Sequence, residues 1–248
     1  MMNQDVLLHV INPNSTASMT DAIGRAARSA ARPTTRLLVQ NPANTPPSLE
    51  GTTDQALAIP AMLAAITQAE RDGARAHVIA CFDDPGISAA REIATRPVIG
   101  LCQAALQTAM ILSTRFTIIT TLPRAVPHIE DLAARYGVGK SCRRVRAIDC
   151  PVLELETNPD AAMRKMRQEI ARAKTEDSAE AIILGCAGMV EMRAPLSRQY
   201  GLPVIDGVTC AVLQAEALAT AEFLTSTIGA SAAPYAKMPC PQAHRIML

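Results

Sequence analysis

The chain has 248 residues, of which 49% are hydrophobic and 19% are charged, and 24 Lys plus Arg nearly balance 23 Asp plus Glu. A chain of this length and composition forms one large or two modest compact domains. The balanced charge gives no basic surface, and three Tyr, three Phe and no Trp offer few aromatic side chains for stacking bases. These features argue against nucleic acid as a partner and favour a small-molecule ligand.

The N-terminal stretch MMNQDVLLHVINPN has no basic leader and only a short apolar core, so it does not resemble a secretory signal. No apolar run reaches the ~18 residues that a membrane helix requires. We therefore expect a cytoplasmic protein without membrane association. An odd number of cysteines with no C-x-x-C pair favours reduced thiols over a disulfide framework or a zinc site.

Short apolar runs alternate with helical segments through the first half of the chain, which is typical of a parallel α/β sheet. Strands are predicted at 6–11, 36–40, 76–81 and 97–100. A helix is predicted after Asn14, where Met19, Ile23 and Ala27 follow helical spacing, and another from near Thr53 to Arg71.

The second half repeats this order, with predicted strands at 115–120, 143–149, 181–186 and 203–206. Pro97-Val98-Ile99 follows Cys81 at nearly the interval at which Pro203-Val204-Ile205 follows Cys186. After these triplets, small and apolar residues match at a constant offset: Gly100, Ala104, Leu106 and Gln107 with Gly207, Ala211, Leu213 and Gln214. Chance matching of small residues is the alternative, but the combined pattern favours an internal duplication with two similar lobes facing one cleft.

Cys81 and Cys186 are each the last residue of a predicted apolar strand and precede a turn, so both are expected at the carboxyl ends of strands, where open α/β sheets bind ligands. A helix N-terminus would lower the thiol pKa from about 8.5 towards neutrality. Two such thiols on opposite sides of one carbon could remove and supply a proton in turn. That chemistry inverts a stereocentre.

The other cysteines, at 102, 142, 150, 210 and 240, are interpreted as structural thiols, because free cysteine is commonly a small buried hydrophobe. Asp84, which precedes Pro85, is predicted to be a capping residue. The sequence assigns no role to Asp83.

Two further strand ends are expected to reach the same cleft. Asn12, Asn14 and Ser15 follow the first strand, and Thr120 and Thr121 follow the fifth. Amide and hydroxyl groups beside helix N-termini suit carboxylate, imide or carbonyl oxygens. The alternative for Asn14, Ser15 and Thr121 is that they only cap helices.

The motifs INPNST (11–16), PPSLEG (46–51), CFDDPG (81–86), TTLPRAVPHIE (120–130), LGCAGM (184–189) and PVIDGV (203–208) resemble those of the Asp/Glu/hydantoin racemase family, and within it those of hydantoin and allantoin racemases. The resemblance covers nearly all of residues 6–220. The paired cysteine motifs are its most specific part.

The resemblance implies a cofactor-independent and metal-free racemase with two pseudo-symmetric lobes, each a four-stranded parallel sheet flanked by helices, with the active site between them. It implies that the last helix returns to the first lobe, so that lobe 1 comprises 1–99 plus 208–248 and lobe 2 comprises 100–207. The catalytic pair falls on Cys81 and Cys186. The expected substrate-binding residues are Asn14, Ser15, Phe82, Thr120, Thr121, Ala187 and Gly188.

The function expected from this pattern is inversion of the acidic stereocentre of a 5-substituted hydantoin or of allantoin, by a homo-oligomer. The alternatives are an Asp/Glu-type amino-acid racemase, a maleate isomerase or decarboxylase that uses one cysteine, and a non-catalytic two-lobed ligand-binding protein. Residues after about 225 carry no recognised motif and are expected to be irregular and outside the site.

Overall fold

The computed structural model describes residues 6–234, and its strands form two separate four-stranded parallel sheets. The first sheet has the order β2-β1-β3-β4 and the second the order β6-β5-β7-β8. The strands are β1 (Leu7–Ile11), β2 (Arg36–Gln40), β3 (Ala76–Ile79), β4 (Val98–Gly100), β5 (Phe116–Thr120), β6 (Cys142–Ala147), β7 (Ala181–Leu184) and β8 (Val204–Asp206). All eight predicted strands are confirmed, and both halves share one topology.

Helices connect consecutive strands, as parallel pairing requires. They are α1 (Ala17–Ala30), α2 (Thr52–Arg71), α3 (Ile87–Ile93), α4 (Leu101–Leu112), α5 (Val126–Arg135), α6 (Glu154–Thr157), α7 (Pro159–Glu176), α8 (Arg193–Tyr200) and α9 (Gly207–Thr220), with 3-10 turns at Pro123–Ala125, Gly139–Ser141, Ala187–Met192 and Gly229–Ser231. In α1, Met19, Ile23 and Ala27 are buried, as their helical spacing predicts. None of the described helices is long and apolar enough to cross a membrane.

One hydrophobic core runs between the two sheets. It joins Val10 and Val78 of the first sheet to Ile118 and Ile183 of the second, through side chains of α1, α4 and α9. The helices α4 and α9 pack against each other, and each also contacts the sheet of the other half: α4 contacts β7 and β8, whereas α9 contacts β3 and β4. Smaller clusters cover the outer faces, under α2 and α3 in the first half and under α7 in the second.

Each sheet also buries polar side chains away from the strand ends that carry the thiols. In the first sheet, His9 and His77 are fully buried on paired strands, and their Nδ1 atoms lie 3.1 Å apart. In the second, the Arg146 guanidinium donates to the Asp177 carboxylate at 2.6 and 2.7 Å, and the Thr117 hydroxyl donates to the same carboxylate. The buried polar groups of the two sheets therefore differ: the first has a pair of histidines, and the second has an ion pair.

The chain after α9 is mostly irregular up to Pro234, apart from the turn Gly229–Ser231. Thr225 fixes its start, because its N–H donates to the Thr95 carbonyl and its hydroxyl to the Arg96 carbonyl. Cys240 and the last part of the predicted irregular tail lie outside the described residues.

Candidate active site

The strand ends of both halves meet at a cavity of about 40 Å³. Seven of the nine residues predicted for the site line it: Asn14, Cys81, Phe82, Thr120, Thr121, Cys186 and Ala187. Ser15 and Gly188 lie beside it and are not part of the lining. This volume has room for only a few water molecules.

Cys81 lies just after β3 and not within it, since its N–H turns back to the Ile79 carbonyl. The turn that follows is held by Asp84, whose backbone adopts φ +45° and whose side chain is buried. The Asp84 carboxylate accepts the N–H groups of Cys102 and Gln103, both at 3.0 Å, and the Tyr136 hydroxyl at 2.8 Å. Asp84 is thus a capping residue as predicted, but the helix that it caps is α4.

Asp84 reaches α4 only because residue 100 is glycine. A Cβ at Gly100 would lie 2.3 Å from the Asp84 carboxylate, closer than any real contact. Burial raises the pKa of Asp84 to about 6, although hydrogen bonds from Tyr136 and the α4 amides oppose that rise. The Cys81 loop is therefore fixed to the start of α4 by a carboxylate that is costly to bury.

Cys186 follows β7 after one glycine, and that glycine permits the close approach of β5. A Cβ at Gly185 would lie 3.0 Å from the Thr120 Cβ and 3.1 Å from the Ile119 carbonyl oxygen. The 3-10 turn Ala187–Met192 begins directly after Cys186. A Cβ at Gly188 would lie 3.0 Å from Leu155 and 3.7 Å from the Cys186 sulfur, so small residues leave space around the thiol.

Both cysteine side chains are half-buried, and their pKa values contradict the prediction from helix N-termini. Burial raises the pKa of Cys81 well above its usual value, and the negative charge of Asp83 adds to that rise. Burial likewise raises the pKa of Cys186 to about 12. The expectation was wrong mainly because it left out desolvation by burial. In addition, no regular α-helix begins at either thiol: α3 starts only at Ile87, and Cys186 precedes a 3-10 turn.

One backbone amide does oppose the rise at each thiol. The N–H of Asp83 points at Cys81 and the N–H of Gly188 points at Cys186, and each lowers the pKa of that thiol. In both loops the donor is the second residue after the cysteine. The sequence placed the available amides on Phe82, Ala187 and Gly188, and so it missed that of Asp83.

The remaining predicted residues have mixed surroundings. The Asn14 side-chain carbonyl accepts the Thr16 N–H at 2.9 Å but does not cap α1, whose N-cap residue is Thr16 and which has no side-chain cap. The Asn14 amide nitrogen lies 3.2 Å from the Met19 sulfur at the cavity wall. The Thr120 hydroxyl donates to the Gly185 carbonyl, whereas Thr121 lines the cavity and is buried. The Ser15 N–H donates to the Pro46 carbonyl, which ties this loop to the next.

Sequence reasoning missed several lining residues: Met19, Leu49, Glu50, Asp83, Leu122, Ala125 and Val152. Glu50 belongs to the PPSLEG motif, so the motif was a usable signal. The Glu50 carboxylate accepts the Val152 N–H at 2.7 Å and thereby connects the first half of the chain to the second. Nothing in the local sequence marks Val152.

The charged side chains that line the thiol cavity, among the residues that the structure describes, are the acids Glu50 and Asp83. The rest of the wall is largely apolar. Within residues 6–234, no group of three or more His, Cys, Asp and Glu side chains is arranged to hold a metal ion. The site thus combines two thiols, backbone amides and small polar groups in a confined cavity.

Comparison with known proteins identifies the relatives of this chain. The family model for Asp/Glu/hydantoin racemase matches residues 8–215. A hydantoin racemase from Rhizobium meliloti is 54% identical over 230 residues, which are 93% of this chain and 95% of that protein.

Solved structures agree with the sequence relatives. The allantoin racemase from Klebsiella pneumoniae superposes with a TM-score of 0.91 at 44% identity, covering 94% of this chain and 95% of that one. The allantoin racemase from Pseudomonas fluorescens gives a TM-score of 0.90 at 36% identity, covering 94% and 99%. On this match of family model, sequence and structure, the chain belongs to the Asp/Glu/hydantoin racemase family.

Proposed function

We propose that this protein interconverts the two enantiomers of a 5-substituted hydantoin or of allantoin, with Cys81 and Cys186 as the two acid-base groups and without a cofactor. The observation that carries the proposal is that the two thiols follow equivalent strands of two sheets and line the same cavity. The relatives named hydantoin racemase and allantoin racemase support this choice of substrate.

The proposed reaction moves one proton off C5 of the ring and another onto its opposite face. One cysteine, as the thiolate, takes the C5 proton, and the C–H electron pair delocalises into the neighbouring ring carbonyl. The other cysteine, as the thiol, then donates its proton to C5 from the other side. The exchange leaves the thiol and thiolate with their positions reversed, ready for the opposite enantiomer.

The raised thiol pKa values fit a carbon acid of this kind. A thiolate with a high pKa is the stronger base, although a smaller fraction of it is ionised near neutral pH. The amides of Asp83 and Gly188 limit the cost of that ionisation. We therefore expect kcat/KM to rise with pH between 7 and 9.

The charge of the cavity argues against the amino-acid alternative. An aspartate or glutamate substrate brings carboxylates that need cationic partners, whereas the charged lining residues described are Glu50 and Asp83. A neutral ring with carbonyl and N–H groups avoids this repulsion. Asn14, Ser15, Phe82, Thr120, Thr121, Ala187 and Gly188 are proposed to contact that ring through amide, hydroxyl and backbone N–H groups.

The decisive experiment separates the two thiols. Cys81→Ala and Cys186→Ala should each lose racemisation by at least about 10³-fold, because one face of C5 is left without its acid. Each variant should still exchange the C5 proton of one enantiomer for deuterium in D2O, and the two variants should prefer opposite enantiomers. Deuterium uptake is measured by NMR on each pure enantiomer, with Cys142→Ala as the control thiol.

The proposal fails if both variants exchange the same enantiomer or if either retains near wild-type racemisation. Dialysis against a chelator should leave the activity unchanged, and activity restored by added metal would also contradict the two-thiol mechanism. A cytoplasmic location and a homo-oligomeric assembly are further parts of the proposal. Light scattering on the purified protein tests the assembly.

A further inference from the structure

A second cavity, of about 120 Å³, adjoins the thiol cavity and shares Glu50, Asp83 and Ala125 with it. Its other lining residues are Gly51, Thr52, Gln55, Arg124 and His128. Apart from Thr52 and Gln55, which lie at the start of α2, the lining residues come from PPSLEG, CFDDPG and TTLPRAVPHIE, three motifs whose charged residues have no part in the proton transfer. We refer to this space as the side chamber.

The side chamber lies between the two halves of the chain. The His128 Nε2 atom lies 3.2 Å from the Asp83 carbonyl oxygen, which joins α5 to the Cys81 loop. The guanidinium of Arg124 lies close to Gly51, because a Cβ added there would be 2.6 Å from Nη2 and 3.1 Å from Cζ. Gly51 has an extended backbone that any residue adopts. A side chain at position 51 would therefore cause no backbone strain, but it would displace Arg124.

The chamber presents both donors and acceptors. Within residues 6–234, Arg124 takes part in no ion pair, so its fork of N–H donors is available. The Gln55 amide donates to one oxygen of Asp83, and the Val152 N–H to one oxygen of Glu50. Each carboxylate thus keeps one oxygen that can accept a further hydrogen bond.

We propose that the side chamber binds the C5 substituent of the substrate and that it is built for a ureido group, so that the preferred substrate is of the allantoin type. This inference rests on the proposed hydantoin or allantoin racemase activity. The ureido carbonyl accepts from Arg124, and its N–H groups donate to Asp83 and Glu50. A cavity of about 120 Å³ has room for these four heavy atoms.

Other substituents match the chamber less well. A carboxylate substituent would pair with Arg124 but would lie beside Glu50 and Asp83, where like charges repel. A benzyl or isobutyl substituent would leave the Arg124 and carboxylate groups without partners and remove water from them, which is costly. A neutral group that both donates and accepts satisfies all three charged side chains.

The test compares two substrates in four proteins. Wild type should racemise allantoin with a higher kcat/KM than 5-benzylhydantoin. Arg124→Met, which keeps the apolar stem and removes the donors, should lower kcat/KM for allantoin by about 10- to 100-fold and for 5-benzylhydantoin by less than about 3-fold. Gly51→Ala should shift the ratio in the same direction, because its Cβ displaces the guanidinium.

Arg135→Met is the matched control. Like Arg124, Arg135 belongs to the second half of the chain, and it donates to the Ser88 hydroxyl of the first half, but it lies at the end of α5 and does not line the chamber. This variant should leave the substrate ratio unchanged.

The outcomes distinguish a failure of the proposed ureido subsite from a failure of the proposed racemase activity. Equal losses on both substrates in Arg124→Met would make Arg124 a contact that holds the two halves together, and the subsite would be wrong. An unchanged ratio, or a wild-type preference for 5-benzylhydantoin, would overturn it as well, while leaving the racemase proposal intact. If wild type racemises neither compound, the proposed function itself is wrong.

Discussion

Cys81 and Cys186 follow equivalent strands, yet the loops that position them are held by different forces. The Cys81 loop depends on a buried carboxylate, with Asp84 at φ +45° and its oxygens bound to the first amides of α4. The Cys186 loop depends on apolar packing, because Ala187, Met189 and Val190 are buried in its 3-10 turn. The two strands place the thiols similarly, whereas their loops surround them with different charge.

The helices after the fourth strand of each sheet differ in the same way. Asp206 is the N-cap residue of α9, and its own carboxylate accepts the Thr209 N–H at 2.7 Å. Gly100 is the N-cap residue of α4 and has no side chain to offer, so the capping carboxylate comes from Asp84 in the thiol loop. A pseudo-symmetric backbone can thus obtain the same stabilisation locally in one half and from a distant loop in the other.

The largest effect is expected from removing that distant cap. Asp84→Ala leaves the Cys102 and Gln103 amides and the Tyr136 hydroxyl without their acceptor, which should lower the free energy of unfolding by about 3 kcal/mol, since relief of a buried charge offsets part of the lost bonding. Asp206→Ala should cost less, about 1 to 2 kcal/mol, because it removes one N-cap bond and an ion pair with the half-exposed Arg193. Urea unfolding at pH 7 measures both.

Asp84→Asn is the control, because it keeps one acceptor oxygen and should fall between wild type and Asp84→Ala. Equal losses in Asp84→Ala and Asp206→Ala would mean that the two caps are equivalent and that the Cys81 loop has no special dependence on its carboxylate.

A smaller effect is expected on the pH dependence of the unfolding free energy, to which the buried polar groups of the two sheets should contribute differently. Burial, with a contribution from His77, lowers the pKa of His9 to about 3, so below the unfolded-state value of about 6.5 the unfolded chain binds a proton that the folded protein does not. This linkage destabilises the fold as the pH falls. From pH 6.5 to 5.0, His9 should account for about 1.5 kcal/mol of lost stability.

The measurement is the change in unfolding free energy between these two pH values, compared in wild type and His9→Gln. Asp84, whose pKa is raised to about 6, has the opposite sign in this window, so only the difference between the proteins isolates His9. Arg146 holds the pKa of Asp177 below its usual range against the effect of burial, so Asp177 stays ionised in this pH window. Thr117→Val, which alters that second cluster, should therefore retain the wild-type pH dependence.

The smallest predicted effect sharpens the comparison of the thiols themselves. After burial, Asp83 is the main charge that raises the pKa of Cys81, and it lies in the same loop as that thiol; it is also the main charge that raises the pKa of Cys186, from the opposite loop. Asp83→Asn should therefore increase the rate of Cys81 alkylation by iodoacetamide several-fold at pH 8, with a smaller increase at Cys186. Mass spectrometry of the labelled peptides gives both rates, and Asp131→Asn, on the exposed face of α5, is the control. A larger increase at Cys186 would reverse the assignment.

The sequence predicted the strands well because each is a short apolar run, and burial on both faces of a parallel sheet requires such runs. It placed Cys81 and Cys186 inside strands, whereas β3 ends at Ile79 and β7 at Leu184. Hydrophobic residues continue beyond the last paired residue, so periodicity alone does not show where pairing stops. The backbone bond from Cys81 to Ile79, which ends β3, is a property of the folded turn.

The site was predicted less completely, for a different physical reason. Its polar strand-end residues follow from local patterns, but its walls come from segments far apart in the chain, such as Leu49 and Val152. The thiol pKa values depend on the desolvation that this assembled wall produces, and no local motif encodes it. The same holds for Asp84, whose capping partner lies on a helix that begins after another strand.

The exchange of α4 and α9 between the two sheets also constrains how the chain is made. β3 and β4 emerge from the ribosome long before α9, yet α9 covers their inner face. During synthesis, the apolar inner face of the first sheet therefore stays exposed until α9, which ends at Thr220, has been made. Such an intermediate is prone to aggregate, and either half alone would leave apolar side chains of the shared core exposed.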